Sequence, residues 1–204
     1  MRALMLEARW EPKPGYVVSE FEKKTGKAIT GNSVWKSPNL AVRDVAVPKI
    51  GPKDVLLKIK ACGVCGSDIH FYETDPQGYV MYPGLTKFPC ITGHEFSGVV
   101  QEVGSEVRDL KEGDMVTAEE MIWCGECKPC RGGFVNHCSN LEEIGFTING
   151  AFADYLAIGS KYCWKLDPLL ERYADPDTAY ELGATVEPTS VSYNAIFIRA
   201  GGFK

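Results

Sequence analysis

The chain has 204 residues, of which 45% are hydrophobic and 24% charged, proportions that set aside disordered and fibrous classes. At that length it can bury a full core, as one large domain or as one domain with an appendage. A net charge of −5, with 22 lysines and arginines spread along the chain, argues against a nucleic-acid surface, which needs clustered cations, and leaves small molecules or proteins as partners.

No stretch approaches the roughly 20 apolar residues of a membrane span. The N-terminal "MRALMLEARW" is interrupted by charge too early for a signal peptide, so a cytoplasmic protein without membrane contact is expected. Eight cysteines in a reducing compartment point to metal binding rather than disulfides.

In chain order, residues 12 to 38 are polar and lysine-containing without clear period, which predicts a long loop or an appended hairpin. "DVLLKIKA" then places Val55, Leu57, Ile59 and Ala61 on one face at period two, a strand. "CGVCGSDIH" follows, with "DIHFYE" readable as the start of a helix. The stretches "FSGVVQEVG", "DMVTAEE" and "AFADYLAI" are further short strands, several separated by turn glycines, and together predict an antiparallel barrel or sandwich. Near the end the period changes. Ala179, Leu182, Val186, Thr189, Tyr193 and Ile196 follow helical spacing up to Gly201 and Gly202, and Pro188 predicts a break at Glu187 between two helices.

The most specific signal is "WCGECKPCRGGFVNHC", where Cys124, Cys127, Cys130 and Cys138 are spaced C-x2-C-x2-C-x7-C. Four thiolates fill a tetrahedral zinc and leave no open position, so a structural zinc is expected. Redox thiols or an iron–sulfur cluster are the alternatives, since "CGEC" and "CKPC" are both C-x-x-C. His137 lies within this loop as a bystander.

"CGVCGSDIH", "GHEFSGVVQEVG" and the cysteine lobe, in this order along the chain, resemble the zinc-containing medium-chain alcohol dehydrogenases. The pattern is nearest to the polyol, threonine, glucose and inosose dehydrogenase branch, and covers nearly the whole chain apart from about residues 12 to 38. That resemblance implies a GroES-like catalytic domain, mainly β with C-terminal helices, over residues 1 to 204, with a zinc lobe at about 122 to 140 and a helical segment at about 176 to 200. It further implies a catalytic zinc on Cys65, His94 and Glu95, with Glu187 of the late "EP" motif at or near the metal. One thiolate, one imidazole and one carboxylate nearly neutralise the dication while preserving its Lewis acidity, and either Glu95 or Glu187 is the third ligand. By itself His94 could equally be a satisfied core histidine.

Similarity also assigns Ser67 and His70 to a proton relay, because an alcohol that loses hydride must lose a proton too. Ser67 could instead cap a helix and His70 could simply be exposed. Asp68 is expected to orient a ligand by hydrogen bonding. Cys62, Cys90 and Cys163 are expected as small buried groups. Phe71, Tyr72, Tyr79 and Tyr82 are candidate pocket lining or, equally, packing at the end of the barrel. The implied reaction is oxidation of a secondary alcohol to a ketone by hydride transfer from a zinc alkoxide to NAD or NADP. The implied substrate is an alcohol or polyol, and the implied assembly a homo-oligomer, dimer or tetramer.

The chain departs from the family in having no G-x-G-x-x-G, the turn that places a dinucleotide pyrophosphate at a helix N-terminus. It is therefore expected to be the front part of an enzyme, binding zinc without turning over substrate until a Rossmann domain is supplied. A stand-alone zinc-binding interaction module is the alternative; a zinc hydrolase lacks any H-E-x-x-H signature.

Overall fold

The computed structural model describes residues 1–202. In chain order they form β1 (Arg2–Trp10), α1 (Glu20–Thr25), β2 (Trp35–Asp44), β3 (Asp54–Gly63), α2 (Gly66–Tyr72), β4 (Cys90–Ile91), β5 (Glu95–Val103), β6 (Met115–Ala118) and β7 (Met121–Ile122). There follow α3 (Lys128–Arg131), β8 (Glu142–Glu143), β9 (Tyr155–Gly159), β10 (Cys163–Lys165), α4 (Asp167–Arg172), α5 (Pro176–Ala184) and α6 (Val186–Tyr193). The expected mainly-β fold with C-terminal helices is observed, and every strand pairing within a sheet is antiparallel. Among the described residues no helix is long and apolar enough to cross a membrane.

The chain divides into two compact units. The first comprises Met1–Ala46, Val64–Gly93 and Met121–Ala153. Its three-stranded sheet has the order β2-β1-β4. The core beside it gathers Leu6, Ala28, Val34, Trp35, Phe71, Val80, Phe88, Cys90 and Phe146. Phe71 is fully buried and meets Phe146 with ring centroids 5.1 Å apart, a burial that stabilises by about 3 kcal/mol. Phe71 and the buried Tyr79 are thus packing residues, not pocket lining, whereas Tyr72 is exposed.

Residues 12 to 38 are not a loose appendage. Ser19 begins α1 through a reciprocal cap with Glu22, the Glu22 N–H donating to Ser19 Oγ and the Ser19 N–H donating to Glu22 Oε2. The buried Glu22 carboxylate also accepts from Tyr16 Oη at 2.7 Å and Ile29 N at 3.0 Å. Ala28, Val34 and Trp35 then enter the core, and Trp35 opens a ten-residue strand. Tyr16, Ser19 and Glu22, polar residues that hid a period, satisfy one another inside the segment.

The second unit comprises Val47–Gly63, His94–Glu120 and Asp154–Lys204. Its five-stranded sheet runs β10-β6-β5-β3-β9. On β3, Val55 and Leu57 are fully buried, and a register irregularity against β5 between Leu56 and Leu57 lets Leu56 be buried as well. Helix α5 packs on β3 and β5, and Ser97 Oγ donates to Tyr180 O at 2.5 Å. The break between α5 and α6 falls at Thr185, two residues earlier than predicted. Glu187 and Pro188 sit in the first turn of α6, where a missing N–H has no intrahelical acceptor to lose, so proline is accommodated without ending the helix.

One buried carboxylate ties this sheet's rim together. Asp114, with its side chain 3% exposed, meets Lys165 Nζ of β10 at 2.7 Å and Lys111 Nζ at 2.5 Å, and accepts from Lys111 N. Burial works against its ionisation, but the hydrogen bonds from Lys111 and Lys165 outweigh burial and hold the carboxyl at about 2. Asp114→Asn is therefore expected to cost about 2 kcal/mol at neutral pH by urea denaturation. Because the folded carboxyl lies below its usual 3.8, the native chain's advantage over this variant is complete above that value. It is lost as pH falls toward about 2, and a pH-independent difference would refute the assignment.

Candidate functional site

Two clusters of metal-ligating side chains form. The first lies in the loop between β7 and β8, whose pairing of Ile122 with Glu142 brings the two ends of the loop together. Cys127 precedes the short α3, and Cys138 follows a single 3-10 turn at Val135–His137. The four sulfurs of Cys124, Cys127, Cys130 and Cys138 lie within 4.8 Å of one another. Cys138 Sγ is 3.6 Å from Cys124 Sγ and 3.9 Å from Cys127 Sγ. A tetrahedral zinc with bonds of about 2.3 Å holds its sulfurs about 3.8 Å apart, whereas a disulfide requires about 2.05 Å. The separations of 3.6 and 3.9 Å fit ligands around one ion and not a disulfide.

Backbone N–H groups point at these sulfurs. Glu126 N and Cys127 N each donate to Cys124 Sγ at 3.4 Å, and Cys124 N and Asn140 N each donate to Cys138 Sγ at 3.3 Å. Cys124 is accordingly lowered to about 6 by the N–H groups of Cys127 and Glu126, and Cys127 is lowered by those of Cys130 and Ser139. Burial pushes Cys130 up to about 12. A dication among the sulfurs would favour their ionised form. His137 is exposed, its ring beside Phe134.

The second cluster is set by the register of β3 against β5. Gly63, the last residue of β3, pairs with Glu95, the first of β5, and His94 immediately precedes it. Two residues beyond Gly63 the chain reaches Cys65, directly before α2. Cys65, His94 and Glu95 each offer a ligand atom, and the three atoms lie within 4.8 Å of one another. Glycine at position 63 is what admits the carboxylate: a Cβ there would collide with Glu95 Oε2. His94 is buried, and loss of hydration lowers its imidazole to about 4, so at neutral pH it is already in the uncharged form that binds metals.

Around this cluster, Asp68 is buried and its Oδ2 accepts the Cys65 N–H at 2.9 Å, fixing the backbone that carries the thiol. Ser67 lies in the first turn of α2 rather than at its cap, which is Cys65; its Oγ is buried and makes no hydrogen bond. His70, one turn further along, is exposed and its Nδ1 lies 3.3 Å from Glu73 Oε2. Glu187 is outside the three-atom cluster. Helix α6 packs against β5, and burial first and repulsion from Glu95 second push the Glu187 carboxyl up to about 7. A cation between the two carboxylates would relieve that repulsion.

Of the three cysteines expected to be buried, only Cys90 is, and burial pushes it up to about 12; Cys62 and Cys163 are half-buried, though loss of hydration also pushes Cys163 up to about 12. The site depends on one residue that sequence reasoning passed over, Gly63. Its signal was present, since "CGVC" puts a glycine at the end of an alternating strand where a close approach is commonplace.

Residues 51–168 match the family described as the alcohol dehydrogenase GroES-like domain. The chain is 46% identical to scyllo-inosose 3-dehydrogenase of Thermotoga maritima over 100% of its own length and 53% of that relative. It is 38% identical to L-threonine 3-dehydrogenase of Symbiobacterium thermophilum over 74% of this chain and 40% of that one. A solved structure of a candidate alcohol dehydrogenase from Thermotoga maritima superposes with a TM-score of 0.94 at 45% identity, covering 100% of this chain and 53% of the other. The chain thus spans about half the length of the curated relatives it matches.

Gly63→Ala displaces the flexible end of Glu95 rather than backbone, so it should leave the fold intact while weakening zinc binding at this cluster about tenfold. Chelator competition measures this, and unchanged affinity would remove Glu95 from the ligand set.

Proposed function

The chain belongs to the alcohol dehydrogenase GroES-like domain family, and on that footing we propose that it is the zinc-binding catalytic part of an NAD(P)-dependent alcohol or polyol dehydrogenase. The convergence of Cys65, His94 and Glu95 carries this reading: a thiolate, a neutral imidazole and a carboxylate match a zinc site that keeps a position for substrate. Zinc held there by Cys65, His94 and Glu95 would supply Lewis acidity toward an alcohol substrate.

The chain's own residues prepare that step. The Asp68 carboxylate holds the Cys65 backbone, and Gly63 leaves room for the Glu95 carboxylate. Glu187, raised toward neutrality beside Glu95, stands as an adjustable second carboxylate that exchanges with Glu95 or accepts a proton. The buried Ser67 hydroxyl, lacking a hydrogen-bond partner, would relay the substrate hydroxyl proton by releasing its own proton toward exposed His70 as it accepts the substrate's, and His70 would pass it to solvent. Cys124, Cys127, Cys130 and Cys138, whose sulfurs lie within 4.8 Å of one another, would hold a second, structural zinc.

The substrate proposed first is a ring polyol oxidised at a secondary hydroxyl, supported by whole-chain similarity to scyllo-inosose 3-dehydrogenase; an amino alcohol such as threonine comes second. Two zinc ions per chain are expected by elemental analysis, one after Cys65→Ala and one after Cys124→Ala. In the full-length protein Cys65→Ala should lower kcat/KM for polyol oxidation by about a thousandfold, the loss of several kcal/mol of charge stabilisation. Unchanged turnover in that variant would rule out this catalytic site.

A further inference from the structure

Residues 12 to 38 contain a feature that the proposed reaction does not use, a buried lysine. Gly26 stops α1 in the left-handed conformation (φ +68), its N–H donating to Glu22 O at 2.8 Å, and delivers Lys27 into the first unit. The Lys27 side chain is 9% exposed. Its ammonium lies 2.5 Å from Glu142 Oε1 and donates to Leu141 O at 3.0 Å. Glu142 Oε2 in turn accepts from Thr147 Oγ1 at 2.5 Å, so both carboxylate oxygens are engaged.

These partners lie at the exit of the cysteine lobe. Leu141 follows Asn140, whose backbone N–H donates to Cys138 Sγ at 3.3 Å and whose Nδ2 lies 3.7 Å from Cys124 Sγ. Glu142 is the first residue of β8, and its pairing with Ile122 closes the loop. A buried ammonium on the Leu141 carbonyl therefore fixes the backbone one residue from a group that contacts two of the four sulfurs. Buried charges stay in place only when paired, so this contact is firmer than a surface salt bridge.

We propose that Lys27 is a positioning residue for the four-cysteine metal site, clamping the strand that leaves the lobe so that Cys138 and Cys124 stand at metal-binding separation. The proposal rests on the reading of that site as a zinc site. It gives the polar segment before β2 a task, that of a brace reaching from a capped helix to the root of the lobe.

The test uses the zinc-loaded chain in a Cys65→Ala background, so that the four-cysteine site alone supplies the metal followed. Transfer of zinc to an excess of chelating dye is timed. Lys27→Met should release zinc about tenfold faster, the effect of removing support behind a ligand, and Lys27→Arg should restore most of the retention. Thr147→Val, which frees one oxygen of Glu142, should accelerate release more mildly and covers the case in which Lys27→Met does not fold. Asp114→Asn, destabilising but in the second unit, should leave the rate unchanged. Equal release from Lys27→Met and the parent, or equal acceleration by Asp114→Asn, overturns the proposal. A parent that holds no zinc instead removes the four-cysteine reading itself.

Discussion

The antiparallel pairing of Gly63 with Glu95 is the constraint from which the candidate catalytic cluster follows. Backbone hydrogen bonds fix which residues stand opposite each other, and a slip of one residue would turn Glu95 to the other face of the sheet. With the register fixed, His94 and Cys65 arrive within a few residues of the pair on either strand, and only glycine at position 63 leaves space for the carboxylate. Asp68 then anchors the turn that presents Cys65. The ligand set is thus a local consequence of strand pairing, with side-chain chemistry added at the strand ends.

Concentrated negative charge is common to both clusters. Cys124 and Cys127 are drawn toward the thiolate by backbone N–H groups while Cys130 is driven the other way by burial, and Glu187 is raised by burial and by Glu95. A dication would settle such opposed tendencies among neighbours, since it would be the largest local charge. The sulfur–sulfur separations of 3.6 and 3.9 Å agree with that reading on purely geometric grounds. Lysine-paired Asp114 shows the contrasting case, in which protein cations alone settle the charge.

Much of this was legible in the chain before folding. The strand at "DVLLKIKA" showed in its period, and the cysteine spacing announced a four-thiolate site because ligands two residues apart can converge only locally. What escaped notice was non-periodic. The capping pair Ser19 and Glu22 was readable as S-x-x-E, but the burial of Lys27 depends on partners far along the chain, Leu141 and Glu142. Proline at 188 misplaced the helix break because its cost depends on its distance from the helix start, which local sequence leaves open. Phe71 read equally as pocket lining or as packing, and the aromatic core claims it.

The sequence by itself determined the donor types, the spacing of the four cysteines, the alternation of the strands and the mainly-β character, all properties of neighbours along the chain. Only the tertiary structure decided that Cys65 meets His94 and Glu95, that Glu187 lies near enough to Glu95 to feel its charge, and that Lys27 reaches the root of the cysteine lobe. The reason is physical: these contacts join residues separated by tens of positions, and their distances are set by sheet register and by the burial of charge, neither of which is a property of any one segment.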